Sequence, residues 1–181
     1  MARDQTRVGL SEFIADPQSS PLETPSGLIE VSSSAYAKTG FPAVPQCRIY
    51  QPQSGYPLRL ITPHSRYRVN SQNSNIDWFR RLEQQQLWIN PQDAEARGIV
   101  DRGMVEVFNE RGKTRIPAWV TEHVMVGVVC LLQGVWPILD EHGTDSAGST
   151  NMLTSTQPTE PSQGSRTHSV AVEVAALQSD C

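Results

Sequence analysis

The stretch that decides the fold is residues 87–120, LWINPQDAEARGIVDRGMVEVFNERGKTRIPAWV. It opens with three apolar residues of a short strand. Asn90 then offers a side-chain cap for a helix whose first position suits Pro91. Gly98 ends that helix, because glycine adopts the left-handed backbone of a helix C-cap without strain. The first half of the stretch therefore predicts a strand followed by a short helix.

The second half predicts a β-hairpin. Residues 104–109 alternate between apolar and polar side chains, and residues 110–113 have the composition of a tight turn. Residues 114–120 form the returning strand.

Further strands are predicted on both sides of this stretch. Residues 56–62 and 128–132 are short apolar runs, and residues 168–175 alternate between apolar and polar. Asp77 is expected to cap a short helix through residues 78–82. Five or six short strands with one or two helical inserts predict a small closed β-barrel.

Residues 1–55 have a different composition, with six of the thirteen prolines and many serines and glutamines. A helical turn is predicted at residues 11–14 and a strand at residues 27–31, but the segment has too few apolar residues for a core of its own. We expect an extended N-terminal arm over residues 1–55 and a barrel domain over residues 56–181.

Composition and charge exclude several classes of function. The formal net charge of −4 disfavours a nucleic-acid-binding protein. The longest apolar run has nine residues, whereas a membrane span needs about twenty, and the first residues lack a secretion signal. The three cysteines and four histidines are scattered, without a CxxC pair, so we predict no metal-ligating residues. No acid–base pair or nucleophile stands out either, and Asp140, Glu141 and Asp145 are interpreted as a solvated acidic loop.

Two polar loops carry the candidate binding chemistry. Residues 62–73 combine arginines with hydroxyl groups, which together bind phosphate oxygens. Residues 133–136 and 145–154 contain glycines, which let the backbone approach a flat ligand, and amide side chains that pair with the edge of a heterocycle.

Each loop also has a structural interpretation. The first is compatible with a solvated polar loop, and the second with a glycine-rich connection in which Trp136 fills the core. The dipeptides Gly148–Ser149 and Gly164–Ser165 are potential self-cleavage points of a pyruvoyl enzyme, although such dipeptides arise by chance in any loop of this composition.

At these loops the sequence resembles the molybdopterin-dinucleotide-binding domain that closes the catalytic subunits of the dimethyl sulfoxide reductase family, and most of all dimethyl sulfoxide reductase catalytic subunits. The resemblance runs from about Tyr56 to Ala176. It rests on short matches in the same order: Leu60–His64, Asn70–Ser71, Trp88–Ala94, Ala96–Ile99, Val105–Gly112, Val120–Thr121, Gly127–Val129 and Asn151–Thr154.

The resemblance implies a mainly β fold with short helices, the double-psi β-barrel of the aspartate-decarboxylase type. It implies a domain that caps bis(molybdopterin guanine dinucleotide) with molybdenum in the full-length enzyme. The implied cofactor-binding residues are Thr62, Pro63, His64, Ser65, Arg68, Ser71, Gln72, Gln133, Trp136, Asn151 and Gln163, with Arg166 as a further contact. Asn70 departs from the family, in which histidine is frequent at that place.

In this family the ligand of the metal and any iron–sulfur cysteines belong to earlier domains. The chain is therefore expected to be a fragment that is inactive alone and retains no cofactor. The implied partners are the earlier domains, an iron–sulfur electron-transfer subunit and a membrane anchor, in the periplasm or at the membrane of a bacterium. The sequence leaves the substrate open. A self-processed decarboxylase-like enzyme and a non-catalytic interaction domain are the alternative interpretations.

Overall fold

The computed structural model of the chain describes residues 10–46, 55–160 and 163–177. They belong to two compact units, Met1–Ile49 and Tyr50–Cys181. The expectations about the first residues of the chain, and about Cys47 and Cys181, lie outside the described residues.

Among its described residues, the first unit consists of two short helices joined by turns. Helix α1 covers Ser11–Ala15 and helix α2 covers Ser34–Ala37, so the predicted helical turn at residues 11–14 is confirmed. The predicted strand at residues 27–31 is wrong. Gly27 adopts φ +68°, and its carbonyl oxygen accepts a hydrogen bond from the Leu22 amide, which closes a turn in place of a strand. None of residues 10–46 is fully buried.

Within residues 55–160 and 163–177, the second unit contains six strands and two further α-helices. The strands are β1 (Leu58–Ile61), β2 (Leu87–Ile89), β3 (Met104–Phe108), β4 (Lys113–Val120), β5 (Val128–Cys130) and β6 (Val170–Ala176). The helices are α3 (Asp77–Leu82) and α4 (Pro91–Glu95), and a 3-10 turn covers Thr150–Met152.

The strands close into a barrel in the order β1-β5-β2-β4-β3-β6, and β6 pairs with β1. The pairs β1–β5 and β2–β4 are parallel, and the other four are antiparallel. The predicted closed barrel of short strands is confirmed.

Alternating side chains of every strand fill the barrel. Leu60, Leu87, Val105, Val129 and Val172 are all fully buried. Truncation of one of these leucines to alanine is expected to cost about 2–5 kcal/mol, because the neighbours only partly fill the resulting void.

The pairing directions place the connections at two opposite ends of the barrel. Strands β1, β3 and β5 end where β2, β4 and β6 begin, so residues 62–86, 109–112, 131–160 and 163–169 lie at one end, which we call the long-loop rim. Residues 90–103 and 121–127 lie at the other end, the short-loop rim.

The helix predictions are confirmed in position, but one cap is wrong. The Asn90 side chain accepts a hydrogen bond from the Gln92 amide, Pro91 opens α4, and Gly98 has φ +62°, as expected. In α3 the cap position is Ile76, without a side-chain hydrogen bond, and Asp77 lies in the first turn. There its carboxylate interacts favourably with the positive N-terminal end of the helix but accepts no capping hydrogen bond.

Candidate functional site at the long-loop rim

The two predicted polar loops contact each other at the long-loop rim. Nε2 of Gln133 lies 2.8 Å from Nδ1 of His64, and the Gln133 amide donates to the Pro63 carbonyl at 3.0 Å. The indole Nε1 of Trp136 donates to the Ser71 carbonyl at 2.8 Å. Residues more than sixty positions apart in the chain therefore form one continuous surface.

Gly134 permits this approach. It has φ +98°, and a Cβ atom placed on it would lie 1.9 Å from the Asn70 carbonyl oxygen. The Ser74 hydroxyl donates to the Gly134 carbonyl at 2.7 Å on the other side. Only glycine fits between these two backbones.

A buried polar network supports the first loop from below. The Arg68 guanidinium lies 3.0 Å from the Glu83 carboxylate, to which the Ser65 hydroxyl also donates. Arg68 donates to Gln85 at 3.1 Å, and Gln85 in turn donates to the carbonyls of Leu132 and Gly148 at 2.7 and 2.9 Å. Burial lowers the pKa of Arg68, although the Glu83 charge opposes that shift. The network joins the first loop to both parts of the second.

A cavity of about 480 Å3 opens beside this network. Its walls combine aromatic and apolar groups with two arginines, and its lining includes Arg68, Ser74, Phe79, Arg80, Gln85, Val135, Trp136, Pro137 and Ile138. The Arg68 side chain is only 9% exposed, yet its Nε–H has no hydrogen-bond partner. A buried donor without a partner is costly, so this N–H is an unsatisfied group within the network.

Asn151 lies on the 3-10 turn at the same rim, next to the β3–β4 hairpin. A Cβ atom on Gly112 would lie 2.7 Å from the Met152 carbonyl oxygen, so the hairpin and the 3-10 turn pack backbone to backbone. The Asn109 amide donates to the carbonyls of Leu153 and Ala171 at 2.9 and 3.1 Å. These contacts hold the exposed Asn151 at the end of the barrel.

Asp145 organises the loop that leads to Asn151. Its carboxylate accepts hydrogen bonds from the Thr114 hydroxyl and from three backbone amides, those of Ile138, Ala147 and Ser149, at 2.6–2.9 Å. Burial alone would raise the pKa of Asp145, but these hydrogen bonds outweigh it and hold the pKa below its ordinary value. The interpretation of Asp145 as part of a solvated acidic loop is therefore wrong. Asp140 and Glu141 are exposed, as expected.

The structure brings some of the predicted binding residues into contact and leaves others apart. Thr62, Pro63, His64, Ser65, Arg68, Ser71, Gln133 and Trp136 lie in the joined loops. Gln72 also lies in the first loop, and Asn151 and Gln163 lie at the same rim; the side chains of these three form no hydrogen bond with the described residues. The Thr62 hydroxyl is buried and donates to the Thr167 carbonyl at 2.8 Å. Trp136 is 53% exposed, so it does not fill the core.

Sequence analysis missed Glu83, Gln85 and Asp145. Apart from the nearest amides around Asp145, their partners lie 15 to 63 positions away, and no local pattern marks such contacts. Glutamines 84 to 86 are alike in sequence, and only the fold selects Gln85 for the network.

Within the described ranges no group of histidine, cysteine or acidic side chains is arranged to hold a metal ion. Burial raises the pKa of Cys130 to about 11, so its thiol stays protonated and unreactive at neutral pH. The site offers hydrogen-bonding groups, aromatic rings and guanidinium charge.

Fold and site together match one known class of domain. Residues 58–171 match the family described as "Molydopterin dinucleotide binding domain", and the chain belongs to this family of molybdopterin-dinucleotide-binding domains.

Its relatives include dimethyl sulfoxide reductase DmsA of Escherichia coli (strain K12), which is 36% identical over 92% of this chain and 22% of its own length. The dimethyl sulfoxide/trimethylamine N-oxide reductase of Cereibacter sphaeroides is 37% identical over 81% of this chain and 20% of its own length. The chain thus spans about a fifth of these curated relatives. The matches give no support to a self-processed decarboxylase.

Acetylene hydratase from Pelobacter acetylenicus has a similar structure, with a TM-score of 0.74 at 17% sequence identity over 90% of this chain and 25% of that protein. This likeness bears on the fold alone, and with the closed six-stranded topology it confirms the double-psi β-barrel. In the part of the chain that the structure describes, no helix is both long and apolar enough to span a membrane.

Proposed function

We propose that this chain is the cap of a molybdopterin cofactor in a larger bacterial oxidoreductase, and that the cofactor is bis(molybdopterin guanine dinucleotide) with molybdenum. The observation that carries the proposal is the junction of the two polar loops through His64–Gln133 and Ser71–Trp136. It presents amides, an imidazole and an indole on one surface beside a cavity that the Arg68 side chain lines.

The residues present fit a flat, hydrogen-bonding ring. Cavities of about 300–1,000 Å3 with apolar walls and a few polar groups are typical of cofactor sites. Here Phe79 and Trp136 provide ring contacts, and Arg68 and Arg80 provide guanidinium charge. When bound, the molybdenum–pterin group supplies the redox chemistry, and the protein holds and orients it.

We assign two roles to the predicted residues. Those with exposed or partly exposed side chains contact the cofactor directly: His64, Ser71, Gln72, Gln133, Trp136, Asn151 and Gln163. Thr62, Pro63 and Ser65 position the loop, since the hydroxyl groups of Thr62 and Ser65 are engaged inside the protein and the Pro63 carbonyl receives Gln133. Arg68 does both. Its pair with Glu83 fixes the guanidinium, and the same side chain lines the cavity.

For the whole protein we propose a reductase of sulfoxides or N-oxides, as the names of the relatives suggest. Earlier domains would supply the metal ligand, and an iron–sulfur electron-transfer subunit and a membrane anchor would be its partners, in the periplasm or at the membrane. Sequencing the coding region upstream of Met1 tests this. A continuous reading frame that encodes a molybdenum-ligand domain supports it, and an immediate upstream stop codon contradicts it.

Binding is tested with the 181-residue chain and hydroxymethylpterin, followed by tryptophan fluorescence. We expect a saturable change, because Trp136 borders the cavity. Gln133→Leu removes the amide that would bond to the pterin ring and also the contact to His64. The loss of about one hydrogen bond to the ring is expected to weaken binding about tenfold. Gln92→Leu, an exposed glutamine at the short-loop rim, is the matched control and is expected to have no effect. Equal responses of both variants would contradict the proposal.

We also propose that the chain is catalytically inactive by itself, because it holds only one side of the cofactor. Incubation with a reduced donor dye and dimethyl sulfoxide is expected to give no turnover above the rate without protein. Turnover that depends on the concentration of this chain would refute that statement.

A further inference from the structure

Gln85 lies in the segment between α3 and β2 and hydrogen-bonds to three separate parts of the long-loop rim. Its Oε1 accepts a hydrogen bond from Nη2 of Arg68 in the first loop at 3.1 Å. Its Nε2 donates to the Leu132 carbonyl at 2.7 Å and to the Gly148 carbonyl at 2.9 Å. Leu132 adjoins the first part of the second loop, and Gly148 lies in its second part. One side chain is thus bonded to all three segments that surround the candidate site.

A primary amide is the side chain that suits these three partners. It has one carbonyl oxygen and two N–H protons, and at Gln85 the oxygen faces a donor while the two protons face two acceptors. The reverse orientation would place Oε1 against two carbonyl oxygens and the NH2 group against a guanidinium. A glutamate has the same shape but no proton to donate when ionised, and a methionine of similar size has no N–H at all. Position 85 therefore requires particular chemistry as well as a particular size.

The backbone of the second loop leaves room for the stem of this side chain. A Cβ atom on Gly148 would lie 2.6 Å from Cγ of Gln85 and 3.1 Å from Cγ2 of Ile116. Gly148 is buried, so Gln85 passes through space that a side chain at position 148 would need. Gln85 also lines the cavity, together with Trp136. The amide is therefore held between the second loop and the cavity wall.

We propose that Gln85 is a positioning residue that holds the two polar loops at the separation a flat ring requires. Both of its N–H protons are committed to the protein, so it acts on the ligand through the loops. Loops that are already in place need no ordering when the ligand binds, and a residue that fixes them raises the affinity. This inference rests on the proposed function, because the ring is the ligand proposed for the cavity.

The test replaces the amide without changing its size, in the 181-residue chain. Gln85→Met and Gln85→Glu are each expected to weaken the binding of hydroxymethylpterin about tenfold, as followed by tryptophan fluorescence. Gln86→Met is the matched control and should bind like the wild type, since Gln86 is the adjacent residue of the same type and does not line the cavity. If Gln85 only filled space, Gln85→Met would also bind like the wild type, and that result would overturn the inference.

A second readout follows the loops without any ligand. The indole N–H of Trp136 donates to the Ser71 carbonyl, so its signal in the amide spectrum of the isotope-labelled chain reports the junction of the two loops. Trp136→Phe identifies that signal, and the dispersion of the other signals shows that each variant is folded. We expect the indole signal to shift, and its exchange with water to accelerate, in both Gln85 variants but not in Gln86→Met. An unchanged indole signal in both Gln85 variants overturns the inference.

The two readouts separate this inference from the proposed function. If the wild type binds hydroxymethylpterin and the Gln85 variants bind it equally well, the positioning role fails and the proposed function stands. If the wild type does not bind it, the proposed function fails, and the Trp136 indole signal then decides whether Gln85 positions the loops. Weaker binding together with a shifted indole signal supports both.

Discussion

At the short-loop rim, hydrogen bonds tie the short connections to each other, whereas at the long-loop rim buried polar groups hold longer loops together beside a large cavity. Asn90 caps α4 and donates to the Val124 carbonyl at 2.8 Å, and Asp93 accepts the Gly127 amide at 2.7 Å. The barrel is therefore closed at the short-loop rim by few connections, and each of them is short.

The long-loop rim holds the cavity and exposes large apolar side chains around it, among them Trp78, Trp136 and Ile138. Its loops depend on buried charges and a close backbone approach for their shape. The comparison teaches that one end of the barrel carries the short connections and the other carries the long loops of the candidate site, a division that is frequent where loops are carried on a rigid scaffold.

Gly134→Ala, at the long-loop rim, is expected to have the largest effect on the free energy of unfolding. The new Cβ atom would meet the Asn70 carbonyl at a residue with φ +98°, so the clash and the backbone strain together should cost about 4 kcal/mol in the free energy of unfolding. Gly98→Ala at the short-loop rim is the control. It has φ +62° but open space around it, and should cost about 1 kcal/mol. Urea unfolding measures both, and equal costs would show that the two loops do not meet as described.

Glu83→Gln should have the next largest effect, about 3 kcal/mol, because it leaves the buried Arg68 charge without its partner. The same change at Glu95, which is exposed on α4, should be nearly neutral. The measurement is again urea unfolding. A Glu83→Gln variant as stable as Glu95→Gln would mean that the ion pair does not support the first loop.

Asp145→Asn should cost about 2 kcal/mol, since it removes a buried charge that accepts four hydrogen bonds. The pKa of Asp145 is lowered in the folded protein from its ordinary 3.8, so its stabilising contribution is complete above that pH and is lost as the pH falls through the lowered value. The difference in unfolding free energy between wild type and variant should therefore be constant from pH 5 to 7 and shrink below about pH 3.8.

Asp140→Asn is the matched control in the same loop. Asp140 is exposed, and its replacement should change stability less than the replacement of Asp145 does. A larger effect at Asp140 would contradict the assignment of Asp145 as the residue that organises the loop.

Asn90→Ala should have the smallest effect, about 1 kcal/mol, through the loss of the α4 cap. Because the change lies at the short-loop rim, the fluorescence response to hydroxymethylpterin should keep its wild-type affinity. A lower affinity for hydroxymethylpterin would show that the two rims are coupled.

The same contrast explains how much the sequence could predict. Short-range signals located the short-loop rim and most strands: Asn90, Pro91, Gly98 and the alternation of residues 104–120 correspond to elements of the structure. The prediction of a strand at Gly27–Val31 was wrong. It used only the alternation of apolar and polar residues, whereas the positive φ of Gly27 turns the chain there.

At the long-loop rim, composition marked the two loops as binding segments but could not show that they meet. The partners of Arg68, Gln85 and Gln133 lie 15 to 69 positions away, and such contacts depend on strand order and barrel closure.

The most direct test of the central claim is the amide spectrum of the isotope-labelled 20.0 kDa chain during titration with hydroxymethylpterin and GDP. If the two polar loops form one ligand surface, the shifted signals will fall in residues 62–75 and 133–154 together, and those of residues 90–103 will stay in place. Shifts confined to only one of the loops, or concentrated at the short-loop rim, would contradict it.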